Sequence, residues 1–540
     1  MSEDESFDET VVIQQTVRVM RVFFLLGVVL VGALTTVQGQ TNRAPAFNMG
    51  TNKPITLPNA VQMALEHNLS VAIERFNPRL AGFTLSGSYG AYDPVLSFSA
   101  GHAFNTSPGG VDAQGRSYAP RESERDSFGV GLNGAIPTGT GLSYDIFANT
   151  SGSDFTSYNV RGVDAGGTPI IIPRFVASDY VASEGISLTQ PLLKNFLIDG
   201  ARLQIQINKR DLRISEWRLR QQIMVTIASV EQAYYRLIFS RENIKVQETA
   251  YELAQQLVRE SKKRVQVGAI APLDEKQAES QAAATEATLI EAQRNYSQQE
   301  NALKALVTDD FASLLGQNLN PIENLVAVPV VTSLSDSWSR GLTSRPEIQE
   351  RKLTLEKQDF TLKYQKNQIW PSLDVTASYG QNANNLSYSD VLQDLGRDKG
   401  PNYGLVGRLS FPIGNTAAKT RYQSSKINKQ QLLLQYKQQE QSIMVEIDDA
   451  IKTIRSTFEQ VQSSRAARAY AQDALFAEQK KLENGRSTSY LVLQSQRDLT
   501  QRQFDEIQAL AQYNIALSDL AFREGTILER HNLSISFDNK

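Results

Sequence analysis

The stretch of sequence that decides the fold is residues 251–278, YELAQQLVRESKKRVQVGAIAPLDEKQA. It closes a long run of good helix formers at Gly268, and a second run begins after Pro272. Residues 202–267 contain neither Gly nor Pro, and residues 415–484 share this property. Because a helix rises about 1.5 Å per residue, each segment predicts a helix of roughly 100 Å. Since globular helices average about 11–12 residues, we expect two exceptionally long helices to dominate the molecule.

Both segments carry an apolar residue at almost every seventh position. In the first segment and its returning arm these residues are Ile223, Val230, Leu237, Ile244, Tyr251, Val258, Val265, Ala282, Leu289, Tyr296 and Leu303. In the second segment they are Ile447, Ile454, Val461, Leu475 and Leu482, with Arg468 interrupting the series. A strict spacing of seven residues between apolar positions indicates supercoiled helix packing. A neighbouring stripe of small or polar residues predicts close packing with a wetted second face, at Ala233, Ser240, Gln247, Ala254 and Ser261.

Each long segment ends in a glycine turn and reverses. The two tips are residues 267–274, VGAIAPLD, and residues 484–491, NGRSTSYL. Glycine is favoured just past a helix C-terminus, and Pro272 suits the first turn of the next helix. Ser487 or Thr488 is expected to cap the helix after the second tip. The pattern predicts two long helical hairpins, and a plain soluble coiled-coil hairpin is the alternative.

The two hairpins belong to an internal repeat. LPNAVQMAL at residues 57–65 returns as LSDSWSRGL at 334–342, an offset of 277 that also relates PVL at 94–96 to PSL at 371–373. QPL at 190–192 matches FPI at 411–413 with an offset of 221, and Gly268 matches Gly485 with an offset of 217. The first half therefore holds about 56 additional residues in its strand region, enough for one further hairpin.

Alternating apolar and polar residues precede each long helix. Clear cases are residues 96–104, 142–148, 373–379 and 403–411. Period two indicates strands with one apolar face, and in an exported protein it favours a transmembrane β-barrel with that face toward lipid. Aromatic residues near strand ends are expected to form interfacial girdles, at Tyr92, Phe104, Tyr379, Tyr403 and Phe411. A soluble β-sandwich is the alternative.

Loop lengths set the expected number of strands. Long polar loops are expected on the outer side at residues 105–126, 151–179 (with 162–173 assigned only to a loop) and 382–402, and a short periplasmic turn at 137–141. Passing the chain back and forth across the membrane, with long loops outside and short turns in the periplasm, predicts four strands in the first half and two in the second. A trimer would then have 18 strands. Six strands cannot close a channel-sized barrel, so an oligomer is implied. The alternative is that the added hairpin folds outside the barrel.

The N-terminal segment predicts export. An apolar run at residues 22–37 follows Arg18 and Arg21, and cleavage is expected after Gly39. Because the first ten residues are acidic, Met20 is the expected true start. A membrane anchor is the alternative, and the absence of cysteine excludes a lipidated N-terminus of the bacterial lipoprotein type.

Composition excludes several classes of protein. With 55 basic and 58 acidic residues the net charge is −3, which excludes a broadly basic nucleic-acid binder. Cysteine is absent and the three histidines are far apart in sequence, which disfavours metal sites and nucleophilic triads. Residues 129–134, GVGLNG, match a nucleotide-binding glycine pattern but precede a turn, so we interpret them as glycines on a strand.

The export signal, the duplicated halves, QPLL at residues 190–193 and the glycine-tipped hairpins together resemble the TolC-type outer membrane efflux proteins. The resemblance covers about residues 50–525. It implies a mixed fold, in which a membrane β-barrel continues into a long α-helical barrel, built by a trimer of internally duplicated protomers. The family usually has four strands per protomer, so six is a departure.

The resemblance also implies a function and its partners. It implies the outer-membrane channel of a tripartite efflux or type I secretion system, a passive exit duct with its helices in the periplasm. The duct docks through its hairpin tips onto a periplasmic adaptor (membrane fusion) protein and an inner-membrane transporter, which supplies the energy. Contact with outer-membrane lipid is implied, with no nucleic acid, cofactor, metal or catalytic site.

The resemblance places docking and the closed entrance at both tips. By position, the residues implied are Val267, Gly268, Asp274, Gly485, Arg486, Thr488, Leu491 and Gln494. Many family members carry acidic residues six and nine positions after the second tip glycine, but Leu491 and Gln494 stand there, so that acidic ring is missing. We expect Asp274 and Arg486 to pair across the tips and to help hold the duct closed.

The expected domain order follows the repeat. It is a signal peptide at 1–39, an equatorial part at 40–92, β-barrel strands at 93–190, an α-helical hairpin at 191–308, a second equatorial part at 309–370, strands at 371–412, a second hairpin at 413–525 and a C-terminal tail at 526–540. An oligomeric surface structural or adhesin protein with a coiled-coil stalk is the alternative function. An envelope enzyme is disfavoured because no nucleophile, base and orienting group form a constellation.

Overall fold

The computed structural model describes residues 51–534, except residues 112, 114–116, 119, 138, 164, 167–168, 269 and 398–399. The predicted signal peptide and the predicted start at Met20 lie outside the described residues. So does the end of the C-terminal tail.

The described elements follow the same order in both halves. In chain order the first half contains β1 (Thr51–Ile55), α1 (Leu57–His67), α2 (Leu69–Glu74), α3 (Phe76–Ser88), β2 (Val95–Ser107), β3 (Gly110–Val111), β4 (Ser117–Tyr118), β5 (Arg121–Ala135), β6 (Ser143–Val163), β7 (Pro169–Pro191), α4 (Gly200–Gln266) and α5 (Pro272–Val307). The second half contains β8 (Gln317–Pro321), α6 (Leu334–Ser344), α7 (Pro346–Asn367), β9 (Ser372–Asn385), α8 (Tyr388–Leu395), β10 (Pro401–Ser410), α9 (Thr416–Glu483), α10 (Ser489–Glu524) and α11 (Ile527–Arg530). Two short 3₁₀ turns are Tyr89–Tyr92 and Phe311–Leu314.

The long helices confirm the predicted hairpins and the repeat. α4 has 67 residues and α9 has 68, while the returning helices α5 and α10 have 36 residues each. The short helices α1 and α6 each have 11 residues and begin 277 positions apart. The sequence without glycine and proline therefore forms continuous helix, as its pattern predicts.

Polar side chains fix several helix starts. The carboxylate of Asp199 accepts a hydrogen bond from the backbone N–H of Arg202 (2.8 Å) and caps α4. Thr56 caps α1, and the side-chain oxygen of Asn68 accepts bonds from Ser70 and Val71 at the start of α2. Each cap satisfies backbone donors that the first turn of a helix leaves without partners.

The main β-sheet has six antiparallel strands in the order β10-β9-β7-β6-β5-β2. Four strands come from the first half and two from the second, which confirms the predicted strand number. The glycine-rich residues 129–134 lie within β5, paired on both sides with β2 and β6, which confirms that they belong to a strand. β1 and β8 form a separate two-stranded sheet.

Three predicted loops are wrong in extent. β6 and β7 have 21 and 23 residues and continue through most of residues 151–179, including parts of 162–173. The region 382–402 contains α8, and residues 105–126 contain the small β3–β4 hairpin and the first part of β5. The polar composition of these regions indicates contact with water, but an antiparallel ladder satisfies its backbone groups whatever the polarity of its side chains.

The register sorts the sheet's side chains onto two faces. One row of directly paired residues, one from each of five strands, is Leu96, Leu132, Ile146, Ile186 and Tyr379. A row three residues along, on the opposite face, is Ser99, Gly129, Asn149, Ser183 and Asn382. We call the face that carries the first row the apolar sheet face. Many of its large side chains are exposed in the single chain.

The core lies where the long helices meet the short elements β1, α1, α2, β8 and α11. Ile223, Val230 and Leu237 of the heptad series are buried there. Nearer the tip of α4, the stripe of small residues forms the packed surface instead of the heptad series. Ala254 and Ser261 are buried there, whereas Tyr251 and Val258 are only half-buried. Close packing is confirmed. The prediction of a wetted face is wrong at four positions, because small side chains there allow neighbouring helices to approach and exclude water. These positions are Ala233, Ser240, Ala254 and Ser261.

Candidate functional site

The first hairpin tip is a glycine-terminated turn. α4 ends at Gln266, and Gly268 adopts a φ of 74°, with its N–H donating to the carbonyl of Val265 (2.9 Å). Because this left-handed conformation is disfavoured for residues with a Cβ, glycine is required at the turn. Pro272 opens α5, as predicted. Val267 is 78% exposed at the apex.

The second tip closes in the same way. Gly485 has a φ of 70° and donates its N–H to the carbonyl of Leu482 (3.1 Å). The next residue, Arg486, donates its N–H to the carbonyl of Lys481 (2.8 Å). These two bonds form a Schellman motif, which satisfies the last carbonyls of α9.

The predicted side-chain hydrogen bond that would cap the helix after the second tip is not formed. Thr488 occupies the N-cap position of α10 but its side chain makes no capping bond. The hydroxyl of Ser487 instead donates to Glu478, which also pairs with Lys481 (3.0 Å). The bond from Ser487, with Lys481, lowers the pKa of the Glu478 carboxyl. Ser487 therefore ties the turn back onto α9 rather than starting α10.

Asp274 and Arg486 form no ion pair with each other in the described chain. Other tip charges pair within their own helix, as in Lys276–Glu279 (2.7 Å) and Lys480–Glu483 (2.8 Å). Partners three positions apart lie on one helix face and meet without any change of backbone. The predicted pairing of Asp274 with Arg486 is therefore absent within one chain.

A groove joins the two tips. It has a volume of about 560 Å³ between α5 and α10, and Leu273, Lys276, Tyr490 and Gln494 contribute to its lining. Gln494 is thus brought beside the first hairpin, while Leu491 and Arg486 are exposed outside it. Sequence reasoning missed Leu273 and Tyr490, although both are large apolar residues next to a tip and both are exposed.

A second cavity of about 490 Å³ lies farther from the tips, between the hairpins. Polar residues dominate one part of its wall, including Gln247, Gln281, Thr285 and Thr288, and Phe504 closes another part. The guanidinium of Arg497 donates to Gln281 across the two hairpins. The wetted face predicted for the second stripe is therefore restricted to the neighbourhood of Gln247.

The interruption of the second heptad series has a partner. Arg468 contacts the carboxylate of Glu506 (2.8 Å), which also contacts Arg465 (3.3 Å). Glu506 is buried in the packing of α10 against α9. Arg468 thus replaces an apolar heptad contact with an ion pair between α9 and α10.

Among the residues that the structure describes, no cluster of three or more His, Asp or Glu side chains is arranged to hold a metal ion. Nor does any described helix combine the length and apolarity needed to cross a membrane.

Comparison with known proteins gives consistent results. The family model described as "Outer membrane efflux protein" matches residues 176–308 and 339–525. The probable outer membrane lipoprotein SilC of Salmonella typhimurium is 23% identical over 238 residues, which are 44% of this chain and 48% of that protein. The match thus spans about half the length of this curated relative.

Solved structures extend the likeness to most of the chain. The CmeC outer membrane channel of Campylobacter jejuni matches with a TM-score of 0.60 and 16% identity, over 89% of this chain and 90% of that one. The open-state MtrE outer membrane channel of Neisseria gonorrhoeae matches with a TM-score of 0.58 and 15% identity, over 87% and 89% respectively. At these identities the matches show a shared fold.

Proposed function

Because the chain belongs to the outer membrane efflux protein family, whose members are channels rather than enzymes, we propose that it is the outer-membrane exit duct of a tripartite efflux or type I secretion system. In this proposal three copies form a β-barrel that continues into a periplasmic α-helical barrel. The duct is passive and receives cargo from an inner-membrane transporter through a periplasmic adaptor.

The observation that carries this proposal is a difference between equivalent helices of the two repeats. α7 lies between the long helices α4 and α9 of its own chain. Its Lys357 pairs with Asp211 of α4, and its Asp359 pairs with Lys429 of α9 (2.6 Å). Its Phe360 lies under the guanidinium of Arg210 (4.4 Å). α7 is therefore held on both sides.

The equivalent helix of the first repeat, α3, packs against α4 and leaves a large apolar surface uncovered by the part of the chain that the structure describes. Five exposed apolar residues follow one another at spacings of four, three, four and three along α2 and α3: Leu69, Ile73, Phe76, Leu80 and Phe83. We call these residues the α3 stripe. Spacings of three and four mark the seam of a helix that packs against another helix.

The repeat identifies the partner of the α3 stripe. The offset of 277 relates Phe83 to Phe360, and the offset of 217 that relates the tip glycines also relates Arg210 to Ile427 of α9. Since Phe360 packs on Arg210 within one chain, Phe83 is expected to pack on Ile427 of a second copy. Phe83 is 74% exposed and Ile427 is 61% exposed in the single chain. Repeating this contact closes a ring of equivalent helices.

The sheet supports the same assembly. β2 and β10 are its two edges, and each carries backbone groups with no strand beside them in the described chain. Pairing β10 of one copy with β2 of the next closes the sheet without free edges, as a membrane barrel requires. Three copies of six strands give 18. The apolar sheet face then contacts lipid, and the face with Ser99 and Asn149 lines the lumen.

The proposed docking sites are the hairpin tips. Val267, Leu273 and Tyr490 place exposed apolar side chains around the two turns, and an adaptor is expected to contact them. Gly268, Gly485 and Thr488 shape these turns. At the entrance, Leu491 and Gln494 replace an acidic ring, and Asp274 is expected to meet Arg486 of a neighbouring copy.

Transport through the purified protein tests this function. Reconstituted in a planar lipid bilayer, the full chain is expected to form discrete ion-conducting channels, and deletion of its gene is expected to raise the accumulation of exported compounds in cells. Normal export after deletion, together with loss of surface attachment, would favour the adhesin alternative instead.

A further inference from the structure

Helix α8 packs onto the apolar sheet face rather than extending away from the sheet. Val391 is completely buried against Ala182 of β7 and Ala383 of β9. The ring of Tyr388 lies 4.5 Å from the ring of Tyr180. Gly152 makes room for this pair, since a Cβ there would lie 2.4 Å from the Tyr180 ring. The position of α8 is therefore fixed by packing with three strands.

The remaining sides of α8 have different characters. Asp394 accepts a hydrogen bond from the side chain of Asn385 (3.0 Å) and lies 3.8 Å from Arg397. Leu392 is 55% exposed, and Leu395 is half-buried beside the packed core. α8 thus has a buried anchor, a polar side and an exposed leucine edge.

The leucine edge faces an apolar groove on the sheet. The groove has a volume of about 450 Å³ between α8 and strands β2, β5 and β6. Its apolar lining residues include Phe98, Phe128, Val130, Leu392 and Leu395. A second groove of about 350 Å³ adjoins it on the same face and shares Val130, and Glu184 and Gln381 add polar side chains to its β7–β9 side. The apolar surface is therefore continuous from α8 across β2, β5 and β6.

Along β2 and β5, charged side chains mark the end of this apolar surface. On the apolar sheet face, His102 follows Phe98 and Ala100 along β2, and its ring contacts Asp126 of β5 (2.8 Å). Glu124 lies next along β5 and is 3.8 Å from the same ring. The groove therefore lies on the apolar side of a boundary between apolar and charged residues, where a bilayer places the junction of acyl chains and headgroups.

We propose that this groove binds an acyl chain of an outer-leaflet membrane lipid, with α8 lying at the membrane surface and Leu392 and Leu395 against the chain. This inference rests on the proposed membrane barrel. A peptide in the groove would bring backbone N–H and C=O groups that need partners, and the mainly apolar lining provides few. An acyl chain carries no such groups, and it matches a groove that continues into a lipid-facing surface.

Fluorescence quenching by lipids tests the proposal. The native Trp217, Trp338 and Trp370 are replaced by Phe, and one new tryptophan is introduced as Leu392→Trp or, conservatively, as Phe128→Trp on the groove floor. The full chain is reconstituted in phosphatidylcholine vesicles with brominated acyl chains. Leu405→Trp, on the apolar sheet face of β10, reports the barrel, and Asp390→Trp reports an exposed position of α8 away from the leucine edge.

We expect Leu392→Trp and Phe128→Trp to lose at least half as much fluorescence as Leu405→Trp, and Asp390→Trp to lose little. Quenching of Leu405→Trp without quenching of either groove tryptophan would overturn the lipid site while leaving the barrel intact. Absence of quenching at all positions would overturn the membrane barrel and the lipid site together.

Discussion

Helices α3 and α7 occupy equivalent places in the two repeats, but among the described residues only α7 has neighbours on both sides. Polar and charged contacts hold α7 between α4 and α9, whereas α3 contacts α4 and presents apolar side chains elsewhere. In the proposed trimer this difference allows a duplicated chain to build a closed ring. The second repeat has its neighbour within the chain, and the first is expected to find it in another copy.

The chemistry of the two contacts differs in a way that suits this division. The intrachain contact of α7 uses ion pairs and the stacking of Arg210 on Phe360. The α3 stripe and Ile427 are apolar, so the proposed contact between copies depends on burial of apolar surface. Partly exposed ion pairs contribute little, whereas each large apolar side chain contributes about 1.5–3 kcal/mol when buried.

Breaking the α3 stripe is expected to have the largest effect. Phe83→Asp places a charge in the proposed contact and should weaken association by about 2–4 kcal/mol at each interface, enough to convert trimers to monomers. Analytical ultracentrifugation in detergent measures the change. Phe83→Leu and Asn77→Asp, the latter at a polar position outside the stripe, should remain trimeric. A trimeric Phe83→Asp variant would contradict the account.

The residues at the N-termini of α2 and α7 provide a second comparison between the two repeats. The offset of 277 relates Asn68 to Arg345, which is 5% exposed and contacts Glu347 (2.9 Å) and Glu446 (2.8 Å). Arg345→Ala leaves Glu347 without its buried cation, although Glu446 retains Arg523 (2.8 Å), and should cost about 3 kcal/mol of unfolding free energy. Asn68→Ala removes a cap and should cost about 1–2 kcal/mol. Equal losses in thermal unfolding, followed by circular dichroism, would refute this difference.

A buried carboxylate gives the first repeat a pH dependence. Burial would raise the pKa of Glu231, but the bond with His531 (2.7 Å) and the charge of Arg530 hold it below its ordinary value of 4.5. A lowered pKa contributes stability above about pH 4.5, and that stability is lost as the pH falls through the folded value.

Glu231→Gln should therefore cost about 2 kcal/mol at neutral pH, and the difference from the parent chain should shrink below pH 4.5. Chemical denaturation at several pH values measures it. Glu529→Gln, on a more exposed side chain of α11, is the control. A loss that is independent of pH would show that the carboxylate charge is not the cause.

The smallest effect is expected at the tips. Asp274→Ala removes a carboxylate that the first tip has and the second lacks. Each exposed pair contributes about 0–1 kcal/mol and the proposed trimer holds three, so the open probability of the reconstituted channel should rise by at most about a hundredfold. Single-channel recording measures this probability, with the adjacent Glu275→Ala as control. Unchanged conductance and open probability would remove Asp274 from the entrance.

Much of this molecule was predictable because long elements repeat their signals. Residues 202–267 contain neither Gly nor Pro, so a continuous helix is the simplest outcome there. The same pattern occurs in both halves of the chain, and each occurrence supports the prediction made from the other. Strand number was predictable from alternation and loop length. The tip turns were predictable because Gly268 and Gly485 need a left-handed backbone.

Short or polar features were not predictable in the same way. α8 has only eight residues within a polar region, and its one completely buried side chain, Val391, gives no periodic signal. The outer parts of β6 and β7 are stabilised by backbone pairing, which composition does not encode. The sequence predicts Ser487 or Thr488 as the cap of the next helix, but a carboxylate on the preceding helix, Glu478, lies close enough to bind Ser487.

Disulfide formation between copies tests the central claim most directly, because the chain has no cysteine of its own. In Phe83→Cys combined with Ile427→Cys, oxidation in intact cells should produce a covalent trimer that reducing agent converts to monomer. Phe83→Cys combined with Val445→Cys, which lies on the same face of α9 but about 27 Å along it, should remain monomeric on denaturing gels. Only monomers from the first pair, in cells that retain export, would contradict the assignment of α9 of a second copy as the partner of the α3 stripe.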